Sequence, residues 1–211
     1  MGRAAPVAPS AFAFVPFLRR ALLFVVPVFA LWWLVTPLYN RALISTTEVV
    51  VRLLEAPSPV TRLVPRRPHD MHLQRRDLRR PGAAPLYSVR VTDVHFPVIL
   101  TAALFLAVPA SALAQPGRRS RGATKQRLVD LGRALLVSLV VHLVSLVFWV
   151  QFVYATQLGE WSMQHYGAFA RNFWGLGKHL LDLPFKLALP LILWCGFYFH
   201  LLAPGSAGAE S

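Results

Sequence analysis

The residues best suited to chemistry lie in one apolar stretch of the chain, 134–154. Ser138, His142 and Ser145 recur there at intervals of four and three residues, and Trp149 follows four residues later. This spacing places all four on one face of an α-helix. Polar side chains in lipid turn toward neighbouring helices and form hydrogen bonds with them. The pattern therefore predicts an interhelical polar seam, with a ligand-binding or proton-relay histidine as the alternative.

Two other arrangements contain residues capable of catalysis or metal binding. Cys195, the single cysteine, falls at a predicted membrane depth similar to that of His142, and a cysteine–histidine pair can form a thiolate nucleophile. A buried cysteine usually packs as a small apolar group, so we predict no catalytic residue and keep these two as candidates. His69, Asp70 and His72 lie close together, but two histidines and one carboxylate are a thin ligand set, so we predict no metal site.

Cofactor-dependent and nucleotide-dependent activities have no sequence support. Haem between helices needs two histidines at one depth, and His95, His142 and His200 are predicted at three different depths. The chain also contains no phosphate-binding loop, dinucleotide fingerprint or metalloprotease motif. We therefore predict no cofactor and no enzymatic activity.

Four apolar stretches indicate that these residues lie in a membrane. Each has roughly 20 residues, the length that a membrane-spanning helix needs. We predict a single all-α integral membrane domain of four transmembrane helices over residues 1–211. The predicted spans are 21–39, 96–114, 134–154 and 184–203.

Basic residues indicate how this domain is oriented. The chain has 22 basic and 9 acidic residues, with a formal net charge of +13. In a membrane protein this charge favours anionic lipid headgroups and the positive-inside bias over nucleic acid. The residues predicted to contact headgroups are Arg19, Arg20, Arg118, Arg119, Arg121, Lys125 and Arg127. We therefore predict a multi-pass protein of the bacterial inner membrane with both termini and the basic loop 115–133 in the cytoplasm.

The outer loops have patterns of their own. Residues 86–94 alternate between apolar and polar side chains, which is typical of a β-strand, and 47–53 is the predicted partner. Residues 46–55 are consistent with either a short interfacial helix or that strand, whereas the Arg- and Pro-rich stretch 60–81 is predicted to be irregular. A small β element is therefore possible in loop 40–94. The aromatic segment 155–183 predicts an amphipathic helix in the outer interface.

The order of these parts resembles the exosortase H-associated membrane proteins, a family of bacterial four-span proteins. The stretches that carry the resemblance are Phe17–Tyr39, Val91–Pro109 and the basic turn with the third helix, Arg127–Gln151. The resemblance implies an accessory role beside a sortase-like intramembrane enzyme. Cys195 lacks the arginine motif that surrounds the cysteine of such enzymes, so catalysis is not carried over.

These observations together predict a non-catalytic accessory or scaffold subunit of an envelope protein-sorting or export complex. The alternatives are a small transporter or channel subunit and an intramembrane thiol enzyme that uses Cys195. A transporter needs polar residues along a path through the bilayer, and the sequence offers them on one helix only.

Overall fold

The computed structural model of the chain describes residues 13–67, 70–78, 87–91, 95–113, 120–182 and 184–199. Seven helices and three strands follow one another along these residues, so the fold is mostly helical with one small sheet. They are α1 (Phe14–Leu54), β1 (Thr61–Arg67), β2 (Asp70–Arg75), β3 (Tyr87–Arg90), α2 (Phe96–Ala107), α3 (Ala110–Leu113), α4 (Ser120–Thr156), α5 (Glu160–His165), α6 (Ala168–Asp182) and α7 (Pro184–Tyr198).

Helices α1 and α4 are much longer than the predicted spans. The 41 residues of α1 and the 37 of α4 extend over about 62 Å and 56 Å at the α-helical rise. Residues 46–55, left open between helix and strand, belong to α1 up to Leu54, and the segment predicted as basic loop is helical from Ser120 onward. Each long helix therefore joins an apolar section to a polar extension.

Helices α2, α6 and α7 are shorter than α1 and α4. Helix α2 has 12 residues, about 18 Å, and ends where Val108 adopts the extended conformation that precedes a proline, here Pro109. Helix α6 ends at Asp182, α7 begins at Pro184, and the two helices are bent by 56° relative to each other. Two described helices, α1 and α4, are long and apolar enough to cross a membrane, or three if the α6–α7 pair is one span. The prediction of four spanning helices is not confirmed.

The sheet corrects the prediction for loop 40–94 in two ways. Strand β3 lies within the predicted strand 86–94, but its partner is β2 and not 47–53, since 47–53 is helical. Residues 60–81 are not wholly irregular, because β1 and β2 both lie there and pair antiparallel. The order β1-β2-β3 makes a meander in which β2 is central. Pro65 is compatible with the sheet because it lies on an edge strand, β1, where a missing N–H is tolerated.

Two apolar clusters hold the elements together. One joins the sheet to the far ends of the long helices, through residues such as Val51, Leu73 and Tyr154. We call this unit the head; it comprises β1–β3 with residues 43–54 of α1 and 146–154 of α4. The second cluster lies at the opposite end and joins α1, α2, α4 and α7, for example through Phe17, Phe105 and Trp194.

Candidate functional site

A buried hydrogen bond links the two long helices below the head. The hydroxyl of Tyr39 on α1 lies 2.6 Å from Nδ1 of His142 on α4. His142 is 2% exposed, so this bond is withdrawn from solvent. The two rings meet edge to face with centroids 6.0 Å apart.

A second buried hydrogen bond brings α2 to the same place. His95, the residue before α2, has its Nε2 atom 2.8 Å from Oδ1 of Asn40 on α1. The ring of His95 also packs edge to face against Tyr39 and Trp32, with centroids 5.6 and 5.5 Å apart. We call the set formed by Trp32, Tyr39, Asn40, His95 and His142 the polar junction. Its side chains join α1, α4 and the start of α2.

The second ring nitrogen of His142 has unused hydrogen-bonding capacity. Its Nε2 atom is buried and has no hydrogen-bond partner among the described residues. A neutral imidazole has one donor and one acceptor nitrogen, so the partner of Nδ1 decides the role of Nε2. If the Tyr39 hydroxyl donates to Nδ1, Nε2 carries the proton and is a donor; if it accepts, Nε2 is an acceptor.

The two serines of the predicted seam behave differently from His142. Both are buried, but the Ser138 hydroxyl donates to the carbonyl of Ala134 and the Ser145 hydroxyl to that of Val141, each one turn back in α4. These bonds stay within one helix. His142 is therefore the one residue of the predicted three for which the structure gives a hydrogen bond to another helix.

Cys195 is partly buried on α7 and packs against the second apolar cluster. Its pairing with His142 stays a prediction. His72 is buried in β2, while His69 and His200 lie outside the described residues. No group of three metal-binding side chains occurs among the described residues.

The basic residues predicted to contact lipid headgroups fall into two kinds. Arg19, Arg20 and Lys125 are exposed, as such contacts require. Arg127 instead donates from Nη1 to the carbonyls of Leu106 and Val108, both at 3.1 Å. It therefore satisfies carbonyls left open at the end of α2. Arg118 and Arg119 lie outside the described residues, as does the side chain of Arg121.

Two carboxylates, one in α1 and one directly after it, fasten the sheet to the helices. Oε2 of Glu48 accepts a hydrogen bond from the backbone N–H of Leu63 at 2.9 Å. Oε2 of Glu55 accepts from the N–H groups of Val60 and Thr61 at 3.0 and 2.9 Å. The two acids thus bind the backbone of β1 and of the residue before it.

A buried arginine joins the sheet to α4 and α5. The guanidinium of Arg75 lies over the rings of Tyr154 and Trp161, 4.7 and 4.2 Å from their centroids. It also donates to both carboxylate oxygens of Asp77 at 3.0 and 2.8 Å. This hydrogen-bonded pair lowers the pKa of Asp77 below its ordinary value of 3.8. Ser162 closes the adjoining turn by donating to the carbonyl of Tyr154 at 2.7 Å.

The comparisons with protein-family models, with curated proteins and with solved structures find no match to this chain. The function of the chain is therefore inferred from the geometry described above. That geometry comprises a buried polar junction and a head fastened to two long helices.

Sequence reasoning missed most of the polar junction. Of its five residues, the spacing along the sequence indicated only His142 for such a role. The available signal was the coincidence of Tyr39-Asn40 at the end of one apolar stretch with His95 at the start of the next. Adjacent antiparallel helices place such ends side by side, so polar residues there are paired more readily than their separation in sequence indicates.

Proposed function

We propose that this chain is a non-catalytic accessory or scaffold subunit of a bacterial envelope protein-sorting or export complex. The observation that carries the proposal is the continuity of α1 and α4, which run unbroken from their apolar sections into the core of the head. A head held on two rigid helices suits a protein that presents a surface to a partner at a fixed height above a membrane. The sortase-like identity of the partner rests on the sequence resemblance.

The proposed topology has four crossings with both chain ends in the cytoplasm. Helices α1 and α4 would cross outward, and the broken pairs α2–α3 and α6–α7 would return. This arrangement is supported by the contact between Phe17, near the start of α1, and Trp194, near the end of α7, whose ring centroids lie 4.9 Å apart. Arg127 of α4, which is bonded to the end of α2, lies toward the same end of the protein as Phe17 and Trp194. This position agrees with the positive-inside bias.

Exposure along α1 supports contact with lipid or with another membrane protein. Within its most apolar 18-residue stretch, only 11% is buried by the rest of the chain, whereas the corresponding share for α4 is 44%. Large apolar side chains such as Leu22, Val26 and Trp33 are 61% exposed or more. A helix so little covered by its own chain is stable only where lipid or a neighbouring protein covers it.

Co-purification from a mild detergent tests the proposed function. The tagged protein, expressed from its own genome, should elute with a membrane protein at a fixed ratio. Head variants that keep the fold should lose that partner while remaining in the membrane. Recovery of the wild-type protein alone at every detergent concentration that preserves its fold would count against a docking role.

A small transporter or channel subunit is the second candidate. The observation that favours it is the polar junction, because the buried His142 of α4 meets the Tyr39 hydroxyl of α1 and its Nε2 atom has no hydrogen-bond partner among the described residues. Polar groups are therefore contributed by α1 as well as by α4. Solute or proton flux into proteoliposomes that is lost in a His142→Ala variant would support this candidate over docking.

A further inference from the structure

A stripe of exposed residues runs along α1 from its apolar section into the head. The members recur alternately every four and every three residues and are all exposed: Leu31, Val35, Leu38, Ala42, Ser45 and Val49. We call this set the α1 stripe. The buried residues of α1 between positions 36 and 51, such as Asn40, Thr47 and Val51, lie on the opposite side of the helix at 3.6 residues per turn. The α1 stripe therefore faces away from the described part of its own chain.

Exposed arginines indicate where the bilayer ends on α1. Arg20 precedes the apolar section, Arg41 follows it, and no charged residue lies between them in the sequence. The helix rises about 32 Å from one to the other, which matches a hydrocarbon core of about 30 Å. Val49 lies about 12 Å beyond Arg41 at the same rise, whereas a headgroup layer is only about 5–8 Å thick. Lipid can therefore cover the lower part of the α1 stripe but does not reach Val49.

The upper part of the stripe remains apolar above the bilayer. Val49 is 58% exposed, and Leu53, one turn later, is 70% exposed. An apolar surface on an aqueous part of a protein indicates a contact with another protein. Because the stripe continues without a break from the bilayer into the head, one helix that crosses the membrane and extends beyond it can cover the whole stripe.

We propose that the covering helix is α1 of a second copy of this chain, packed in parallel about a two-fold axis. This dimer goes beyond the proposed docking function and does not depend on it. Membrane insertion gives both copies the same orientation, so the apolar sections above the bilayer meet at the same height. The alternation of four and three residues is the spacing at which two helices pack along a continuous seam.

The charge pattern of the stripe suits a contact between identical surfaces. A two-fold axis places each residue close to its own copy, so a charged residue in the stripe would meet the same charge. The members of the stripe are apolar or carry one hydroxyl, and Ala42 and Ser45 are small enough to let two helices approach closely. Arg52, three residues after Val49, is paired with Glu48 of its own helix at 3.5 Å. The stripe thus offers an uncharged seam as far as Val49.

Disulfide cross-linking of the full-length protein in membranes tests the dimer. A Cys195→Ser background makes each introduced cysteine the only one in the chain. Val49→Cys should give a disulfide-linked dimer under mild oxidation, because facing residues of paired helices lie within the distance that a disulfide spans. Leu54→Cys is the matched control, since Leu54 is 59% exposed but lies about 140° around the helix from Val49. The control should remain monomeric.

The affinity of the dimer can be measured by energy transfer between copies labelled at their N-termini in liposomes, with added lipid as the diluent. Val49→Lys places two like charges opposite each other and should weaken the dimer about tenfold or more, whereas Leu54→Lys should leave it unchanged. The cross-linking result does not depend on the folding of the lysine variants.

Three outcomes would overturn the dimer. They are equal cross-linking at positions 49 and 54, no cross-link at position 49, and energy transfer that Val49→Lys leaves unaltered. A cross-link from position 49 to a different membrane protein would likewise assign the α1 stripe to that protein and exclude a second copy.

Discussion

The packing of α6 on α4 can be tested by a pair of glycine substitutions in one helix. A Cβ atom at Gly177 would lie 2.1 and 2.5 Å from two ring atoms of Phe148, whereas a Cβ atom at Gly175 would meet Phe152 at 3.8 Å. Ordinary carbon–carbon contacts lie at about 3.5–4.0 Å. The ring of Phe148 has little room to move because Phe173 and Trp174 pack against it. Gly177→Ala therefore overpacks the interface, and Gly175→Ala does not.

The expected magnitudes follow from two opposing effects. Alanine stabilises a helix interior by about 1 kcal/mol relative to glycine, which both variants gain. Overpacking costs about 1–3 kcal/mol, which Gly177→Ala alone incurs. The two variants should therefore differ by about 1–3 kcal/mol in the free energy of unfolding. For a chain of this size that difference is about 2–12 °C in melting temperature.

Thermal unfolding in detergent, followed by circular dichroism, measures the difference. Gly177→Ala should melt below Gly175→Ala, and the deficit should disappear in a Phe148→Ala background because the ring that causes the clash is gone. Equal melting temperatures for the two alanine variants would refute the packing of α6 against α4. A deficit that persists without the Phe148 ring would assign the clash to another neighbour.

Further predictions concern the polar junction and the head. Tyr39→Phe leaves Nδ1 of His142 without its buried partner and should lower the free energy of unfolding by about 1–3 kcal/mol in denaturation experiments; an unchanged midpoint would contradict the bond. Arg75→Lys keeps the charge but loses the paired hydrogen bonds and the planar stacking, so it should lower the melting temperature, whereas Arg76→Lys on the exposed surface should not. The lowered pKa of Asp77 means that its contribution to stability is present above its ordinary value of 3.8 and is lost as pH falls through the folded-state pKa. Asp77→Asn should therefore weaken the fall in the free energy of unfolding at acid pH. An unchanged fall would show that the Arg75–Asp77 pair does not cause it.

Hydropathy and periodicity were sufficient to predict the helical class and the strand at 87–90, because both patterns depend on neighbouring residues. The full lengths of α1 and α4 were not predictable in this way. Residues 40–54 and 120–133 are polar enough to be read as loops, but they are helical because the head and the end of α2 pack against them. Strand β2 was hidden for the same reason, since Arg75 is buried by the aromatic rings of Tyr154 and Trp161, which follow it by 79 and 86 residues.

The site was predictable only in part. His142 could be selected because it lies on a polar face of an apolar helix, but Tyr39, its partner, is 103 residues away. Spacing within one helix gives no information on such pairs. The hydrogen bonds of Ser138 and Ser145 to carbonyls of their own helix were equally unpredictable. A serine hydroxyl in a helix can bond either to the carbonyl one turn back or to a neighbouring helix, and spacing does not distinguish the two.

The central claim is that α1 and α4 are embedded in a bilayer and carry the head beyond it. Extraction of membranes with alkaline carbonate tests this claim most directly, because it removes peripheral proteins and retains integral ones. The protein should remain in the membrane pellet and enter solution only with detergent. Its recovery in the carbonate supernatant would contradict the account.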